Sequence, residues 1–191
     1  MAKTYSTMQT LGSKCPDFSL TNVSNNEVYK LTHFSKSALL VMFICNHCPF
    51  VKHVVKEFKK LETDYASKGL SIVAINSNDI DSYPEDSPDH MQSLTKKEGW
   101  EFPYLFDSTQ EIAKAFKAAC TPEFFLYDQD LKLVYRGQLD DSRPGNNIPV
   151  TGNDLRAAIE AVLQKKQPST DQKPSMGCNI KWKHGNAPAY S

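Results

Sequence analysis

Two apolar runs on either side of one amphipathic stretch constrain the fold of this chain most strongly. The runs Ala38 to Ile44 and Leu70 to Ile75 are almost wholly apolar, which is typical of strands buried on both faces of a sheet. Between them, apolar side chains from Val51 to Tyr65 recur at helical spacing. Pro49 suits the first turn of this helix, and Gly69 suits its end. The order strand, helix, strand predicts a parallel strand pair joined by a right-handed crossover.

Further strands and helices are predicted on both sides of this unit. The segments Asp17 to Leu20 and Glu27 to Leu31 predict a hairpin near the N-terminus, and Phe124 to Tyr127 with Leu131 to Gly137 predict a second one. A last helix is expected at about Asn153 to Lys165. We therefore expect an α/β fold whose central mixed β-sheet is flanked by helices, with an N-terminal hairpin and a C-terminal extension.

Length and charge limit the organisation and the partners of the chain. Its 191 residues suit one domain, which we place at residues 1–163, and the lysine-rich residues 164–191 predict a partly irregular tail. Lysine and arginine together number 22, as do aspartate and glutamate, and this balance argues against a nucleic-acid partner. The apolar runs are too short to span a membrane, and residues 1–11 lack the apolar core of a signal peptide. We therefore expect no membrane partner and a cytoplasmic protein whose thiols stay reduced.

The sequence Cys45-Asn46-His47-Cys48, followed by Pro49, carries the strongest chemical signal. It lies where a buried strand is predicted to end and an amphipathic helix to begin. The N-terminus of a helix has unsatisfied N–H groups and a partial positive charge, which stabilise a thiolate and lower its pKa. Two cysteines at this spacing can also close a disulfide. The motif therefore predicts a dithiol that attacks a disulfide and then releases itself.

Three further segments accompany this motif in an order that resembles a known family. They are Gly12 to Leu20, Phe102 to Asp107 and Thr121 to Leu126. Together with the pair Cys45 and Cys48, they resemble landmarks of the thioredoxin-like superfamily, specifically its AhpC/TSA (redoxin) branch. The resemblance implies a thioredoxin fold for the body of the chain and a cis peptide bond before Pro122.

The resemblance implies a thiol–disulfide oxidoreductase in cellular redox homeostasis, with no cofactor and no bound metal. Cys45, as the more exposed thiol, would attack the substrate disulfide, and Cys48 would resolve the mixed disulfide. Pro122 would pack against this catalytic pair, while Thr121 and Asn46 would contact the substrate. The partners would be disulfides and thiols of proteins or small molecules, together with a thiol reductant.

His47 lies between the two cysteines, and a histidine in this place occurs in strongly oxidising members of the fold. Its imidazole can hydrogen-bond to the thiolate or stabilise its charge, which favours the reduced form and raises the reduction potential. We therefore expect a potential above about −270 mV, the thioredoxin value. Leu39 stands where thioredoxin buries a proton-accepting carboxylate, which argues against fast reduction of protein disulfides.

Two other classes of function use the same residues. A peroxiredoxin-like thiol peroxidase, acting as an antioxidant on peroxides, would use Cys48 as its peroxidatic cysteine and Cys45 to resolve the sulfenic acid. Against it, Cys45 and Val41 occupy the threonine and proline positions of the peroxiredoxin motif. A redox-sensing or zinc-binding module without turnover is the other class. Its available zinc ligands are Cys45, His47, Cys48, His53, Cys120, Cys178 and His184.

Two cysteines outside the motif are candidate accessory thiols. Cys120 directly precedes Thr121 and is expected near the redox pair, either as a buried apolar residue or in a functional role. Cys178 lies in the tail, where Ile180 and Trp182 could dock the segment so that it folds back onto the domain. The acid-rich residues 79–89, in contrast, are expected to form a solvated surface loop.

Overall fold

A computed structural model describes residues 3–34 and 36–191 of the chain. Its helices α1 to α4 are Pro49–Tyr65, Pro88–Glu98, Glu111–Ala115 and Asn153–Leu163. Its strands β1 to β10 are Lys3–Tyr5, Ser19–Asn22, Val28–Lys30, Ala38–Phe43, Leu70–Asn76, Tyr104–Phe106, Cys120–Thr121, Glu123–Asp128, Leu133–Gly137 and Met176–Asn179.

Within the described residues, seven strands form the central sheet in the order β3-β2-β6-β5-β4-β8-β9. The sheet is mixed, because β4 pairs in parallel with β5 and antiparallel with β8. Helix α1 connects β4 to β5, which confirms the predicted parallel pair. Strands β2 and β3 form the predicted N-terminal hairpin, and β8 and β9 form the second one.

Two apolar clusters cover the two faces of this sheet. Leu40 and Met42 of β4 belong to the cluster that holds the buried side chains of α1 and α4. Leu39 and Val41 belong to the other cluster, which holds Ala113 of α3. Alternate residues of a strand point to opposite faces, so the continuous apolar run of β4 is explained by burial on both sides. Among the described helices, none is long and apolar enough to cross a membrane.

A second, smaller sheet joins the C-terminal tail to the domain. In the described part of the chain its strand order is β1-β10-β7, with both neighbours antiparallel to β10. The sequence pattern did not predict this sheet, since residues 164–191 were expected to be partly irregular. Ile180 is buried in the cluster that contains Leu39 and Val41, and Trp182 packs against that cluster, as expected for a docked tail.

Candidate active site

The two cysteines of the motif lie between the end of β4 and the start of α1. Strand β4 ends at Phe43, and Cys48 is the N-cap residue of α1, whose first residue is Pro49. Proline suits this position because the N–H that it lacks would have no partner inside the helix. The backbone N–H of Val51, in the first turn, helps to lower the pKa of Cys48. The predicted placement of the motif is therefore confirmed.

Both thiols are buried beneath neighbouring chain segments. Cys45 and Cys48 are each 0% exposed, so the expectation that Cys45 is the more exposed thiol is wrong for this structure. The Cys45 sulfur lies 3.3 Å from the Thr121 hydroxyl, and the Cys48 sulfur lies 3.3 Å from the Thr121 carbonyl oxygen. Both cysteines belong to one buried apolar cluster. The bond from Thr121 to Pro122 is cis, as the resemblance implied.

A third sulfur reaches this pair from the C-terminal tail. Cys178 of β10 belongs to the same buried cluster as Cys45 and Cys48, and it is only 2% exposed. In the pairing of β10 with β7, Cys178 lies opposite Thr121. The tail therefore occupies the backbone edge that the resemblance assigns to a bound substrate. A substrate contact at Thr121 stays a prediction, and it requires this strand to leave.

The surroundings shift the pKa values of Cys45 and Cys48 in opposite directions. Bonds from the thiols of Cys178 and Cys45 lower the pKa of Cys48 far below its ordinary value, although burial acts in the opposite direction. Burial raises the pKa of Cys45 well above its ordinary value, and the hydrogen bond with Cys48 and the charge of Asp86 raise it further. These interactions favour ionisation of Cys48 over that of Cys45.

His47 faces a buried carboxylate instead of a thiol. Its Nδ1 atom lies 2.6 Å from Oδ2 of Asp86, and its ring stacks on Tyr83 with the ring centroids 4.9 Å apart. Its Nε2 atom is buried and has no hydrogen-bond partner among the described residues. The expected hydrogen bond from His47 to a thiolate is therefore replaced by one to Asp86. A charge effect on Cys45 stays a prediction, since a ring nitrogen of His47 lies within 4.8 Å of its sulfur.

Asp86 is a site residue that the sequence analysis missed. It is 0% exposed, and its Oδ1 atom accepts the backbone N–H groups of Asn46 and His47 at 2.7 and 3.2 Å. Its Oδ2 atom accepts the Asn78 side-chain amide at 2.8 Å. Burial opposes the charge, but the bonds from His47, Asn78 and Asn46 outweigh it and hold the pKa of this carboxyl below its ordinary value. The expectation of a fully solvated acidic loop is wrong here, because these donors offset the cost of burying the charge.

Only some of the potential metal ligands lie close to one another. Among the described residues, one ligand atom each of Cys45, His47 and Asp86 lies within 4.8 Å of the others, and these three side chains could hold a metal ion. His53, another expected zinc ligand, instead places Nε2 at 2.7 Å from the hydroxyl of Ser142. His47 and Asp86 already hydrogen-bond to each other. The absence of a bound metal stays a prediction.

Asn46 and Cys120, the remaining candidates, make contacts within the chain. The Asn46 side-chain amide donates to the Glu85 carbonyl at 3.0 Å, and its oxygen accepts the Tyr104 hydroxyl at 3.3 Å. Its contact with a substrate stays a prediction. Burial raises the pKa of Cys120 well above its ordinary value, and the nearby charge of Glu123 adds to this effect. Cys120 is also fully buried, and its role as an accessory thiol stays a prediction.

Comparison with known proteins identifies the family of the chain. The pattern of the AhpC/TSA family matches residues 11–136. The chain belongs to the AhpC/TSA family. The thiol-disulfide oxidoreductase ResA of Geobacillus kaustophilus (strain HTA426) is 24% identical over 138 residues, which cover 71% of this chain and 75% of that relative.

Solved structures agree with the fold of this AhpC/TSA protein. An uncharacterized conserved protein from Geobacillus kaustophilus is 55% identical, with a TM-score of 0.94 over 96% of this chain and 97% of that one. A thiol:disulfide interchange protein of the thioredoxin family from Chlorobium tepidum TLS is 17% identical, with a TM-score of 0.63 over 81% of this chain and 99% of that one. The second likeness concerns the fold alone, and it confirms the predicted thioredoxin fold.

Proposed function

We propose that this AhpC/TSA protein exchanges disulfides through Cys45 and Cys48, with Cys48 as the reactive thiolate. The observation that carries the proposal is the place of Cys48 at the N-terminus of helix α1, in the same buried cluster as Cys45. The neighbouring groups of Cys178, Cys45 and Val51 also lower the pKa of Cys48. A thiolate stabilised in this way is the attacking species of disulfide exchange. The chain is a thiol–disulfide oxidoreductase, the class in which its relative ResA is named.

The exchange uses both sulfurs of the pair. The Cys48 thiolate attacks one sulfur of a substrate disulfide, and the other substrate sulfur leaves as a thiolate. Cys45 then gives its proton to that leaving group and attacks the Cys48 sulfur, which expels the second substrate sulfur as a thiolate that takes a proton from the solvent. The products are a Cys45–Cys48 disulfide and two substrate thiols, so two electrons pass to the substrate. A thiol reductant restores the pair by the reverse exchange.

The partners enter at the backbone edge of strand β7, which ends at Thr121; we call it the edge beside Pro122. Since β10 pairs with Thr121 there, an extended protein segment with a disulfide would displace this strand and pair in its place. A small-molecule disulfide needs only a local opening of the strand. Because the pair works as a reduced dithiol, the cytoplasm, where thiols stay reduced, is the proposed location. Fractionation of cells followed by detection of the chain would test the location.

Trapping of mixed disulfides tests the order of attack. Cys45→Ser and Cys48→Ser, each combined with Cys178→Ser, are incubated with oxidised glutathione, and the glutathione adduct is followed by mass spectrometry. We expect the variant that keeps Cys48 to form its adduct faster near neutral pH. The resemblance predicts the opposite order, with Cys45 as the attacking residue. Faster reaction at Cys45 would therefore reverse the assigned roles while leaving the exchange itself in place.

Peroxide reduction is a second candidate, because the lowered pKa of Cys48 belongs to the cysteine that aligns with the peroxidatic residue of peroxiredoxins. Attack of this thiolate on a peroxide would give a sulfenic acid, and condensation with the Cys45 thiol would release water and close the disulfide. Peroxide turnover that survives Cys45→Ser with an added reductant and disappears in Cys48→Ser would favour this candidate.

A further inference from the structure

Strand β10 fits against the edge beside Pro122 because a glycine precedes its cysteine. A Cβ atom on Gly177 would lie 2.0 Å from the Thr121 carbonyl oxygen and 2.6 Å from the carbonyl carbon. Both neighbours are main-chain atoms, so they cannot rotate away as a side chain could. Only glycine therefore allows β10 to approach β7 this closely, and Cys178 is the next residue along the strand.

Hydrogen bonds hold this strand at both ends. The Ser175 N–H donates to the Ser6 hydroxyl at 3.0 Å, and the Ser175 hydroxyl donates to the Gly137 carbonyl at 2.7 Å. Beyond the strand, the Lys181 N–H donates to the Asn78 side-chain oxygen at 2.8 Å. Cys178 thus meets the redox pair from a position fixed by its own strand.

Cys48 is the common neighbour of two sulfurs that could share a disulfide with it. Its sulfur lies 3.3 Å from the carbonyl oxygen of Thr121, the residue that lies opposite Cys178 in the pairing of β10 with β7. Cys45, Cys48 and Cys178 also belong to one buried cluster. We infer that Cys178 is a third redox cysteine of this site, which takes over the disulfide from Cys45. The inference rests on the proposed exchange at Cys45 and Cys48, which supplies the disulfide.

The transfer is a thiol–disulfide exchange within the chain. The Cys178 thiolate attacks the Cys48 sulfur of the Cys45–Cys48 disulfide. A Cys48–Cys178 bond forms, the Cys45–Cys48 bond breaks, and its electron pair leaves with the Cys45 sulfur. The proton that Cys178 lost passes to Cys45. One disulfide and one thiol are present before and after the step, so it needs no oxidant or reductant.

Oxidation of the pair removes the charge that keeps Cys178 protonated. In the reduced site, the hydrogen bond with Cys48 and burial raise the pKa of Cys178, while the Lys181 charge opposes them. When Cys48 is in a disulfide its negative charge is gone, but the positive charge of Lys181 remains. The Thr121 hydroxyl, 3.3 Å from the Cys45 sulfur, can donate to the departing thiolate. The site thus favours the transfer after Cys48 has been oxidised.

The transferred disulfide has a structural consequence at the edge beside Pro122. A Cys48–Cys178 bond ties β10 to α1 while β10 is paired with Thr121, so the edge is closed to an extended peptide. Cys45 is restored as a thiol at the same time. The oxidised chain would then stay closed until a thiol reductant opens the new bond.

Disulfide mapping of the full chain tests the inference. The reduced protein is treated with oxidised glutathione, remaining thiols are alkylated after an acid quench, and the chain is cut with trypsin. Residues 37–52 carry Cys45 and Cys48, whereas residues 167–181 carry Cys178. We expect these two peptides to become cross-linked through Cys48 and Cys178, with Cys45 alkylated. If Cys45–Cys48 is the end product and Cys178 is alkylated throughout, the inference is overturned.

Three variants make the outcome specific. Cys178→Ser is expected to stop at the Cys45–Cys48 disulfide, and Gly177→Ala, which keeps every thiol but displaces β10, should accumulate the same species. Cys15→Ser removes a buried thiol outside the site and should give the wild-type cross-link. A Cys45–Cys48 disulfide without any cross-link defeats this inference alone. The absence of a disulfide at Cys45 or Cys48 in every protein would defeat the proposed function as well.

Discussion

Cys178 lies opposite Thr121 in the pairing of β10 with β7, and the peptide bond from Thr121 to Pro122 is cis. This pairing places the C-terminal strand at the redox pair, and both cysteines of that pair are 0% exposed. The reduced site is therefore closed in this structure. Access for a substrate depends on how readily the strand leaves its edge.

Replacement of Gly177 by alanine should open the site. The added Cβ would meet main-chain atoms of Thr121 at 2.0 and 2.6 Å, and overpacking of this kind costs about 1–3 kcal/mol. Alkylation of Cys48 by iodoacetamide should therefore become about tenfold faster or more. His184→Ala, at an exposed position of the same tail, is the control. Equal alkylation rates in the two variants would show that β10 does not limit access.

A donor at position 178 should raise the reduction potential of the pair. Cys178→Ser keeps a hydroxyl that can donate to the Cys48 thiolate, whereas Cys178→Ala removes the donor, and neither variant has the third thiol. A hydrogen bond to a charged group is worth about 1.5–3 kcal/mol. This corresponds to a potential roughly 30–60 mV lower in the alanine variant.

Equilibration of both position-178 variants with glutathione buffers, followed by alkylation, measures the difference. The serine variant should also lie above about −270 mV, in line with the oxidising character expected from the CxxC histidine. Identical potentials in the serine and alanine variants would show that the tail does not stabilise the Cys48 thiolate.

The Asp86 carboxylate should stabilise the chain in a pH-dependent way. Asp86→Asn keeps one oxygen for the backbone N–H groups but cannot accept the Asn78 amide as well, which should cost about 1–3 kcal/mol at neutral pH. The folded-state pKa of Asp86 lies below its ordinary value of 3.8. The contribution of the charge is therefore present above pH 3.8 and is lost as the pH falls through the lowered pKa.

Denaturant unfolding at neutral pH and in acid checks this expectation. The deficit of Asp86→Asn should be largest at neutral pH and should shrink in acid. Asp81→Asn, at an exposed position of the same loop, should leave the stability within about 0.5 kcal/mol of wild type. A deficit that is the same at both pH values would mean that the charge of Asp86 is not its source.

Glu123 should destabilise the fold at neutral and alkaline pH. Burial raises its pKa from 4.5 to about 7, although N–H groups of Ala119 and Cys120 act against the shift. Between these values the folded chain binds more protons than the unfolded chain, so wild-type stability falls as the pH rises through this window. The total effect is about 3 kcal/mol.

Glu123→Gln has no such titration, because its amide oxygen accepts the same N–H groups at every pH. Its stability relative to wild type should therefore increase between mildly acidic and mildly alkaline solution. Thermal or denaturant unfolding of both proteins across that range gives the difference. A constant difference would indicate that Glu123 does not change its protonation in the folded chain.

Local patterns were enough to predict the framework that carries the pair. The apolar run of β4 and the helical spacing after Pro49 are signals within single segments, and burial on both faces follows directly from them. The N-cap position of Cys48 could be predicted for the same reason. The cis bond before Pro122 came from the family resemblance, since an isolated proline carries too little information.

Contacts between distant segments could not be predicted in this way. Met176–Asn179 is short and lacks alternating apolar residues, and its strand exists because Gly177 fits against Thr121 far away in the sequence. Asp86 lies in an acidic run, where charged residues are usually solvated. Its burial depends on donors from Asn46, His47 and Asn78, which belong to two other segments of the chain.

Turnover of a protein disulfide tests the central claim most directly. Insulin reduction with a thiol reductant is followed for the wild type, for Cys45→Ser and for Cys48→Ser. The account predicts that the wild type accelerates the reaction through many cycles, while each variant falls to the rate of the reductant alone. A variant that retains the wild-type rate, or a wild type no faster than the reductant, would contradict the claim that Cys45 and Cys48 act as one exchanging pair.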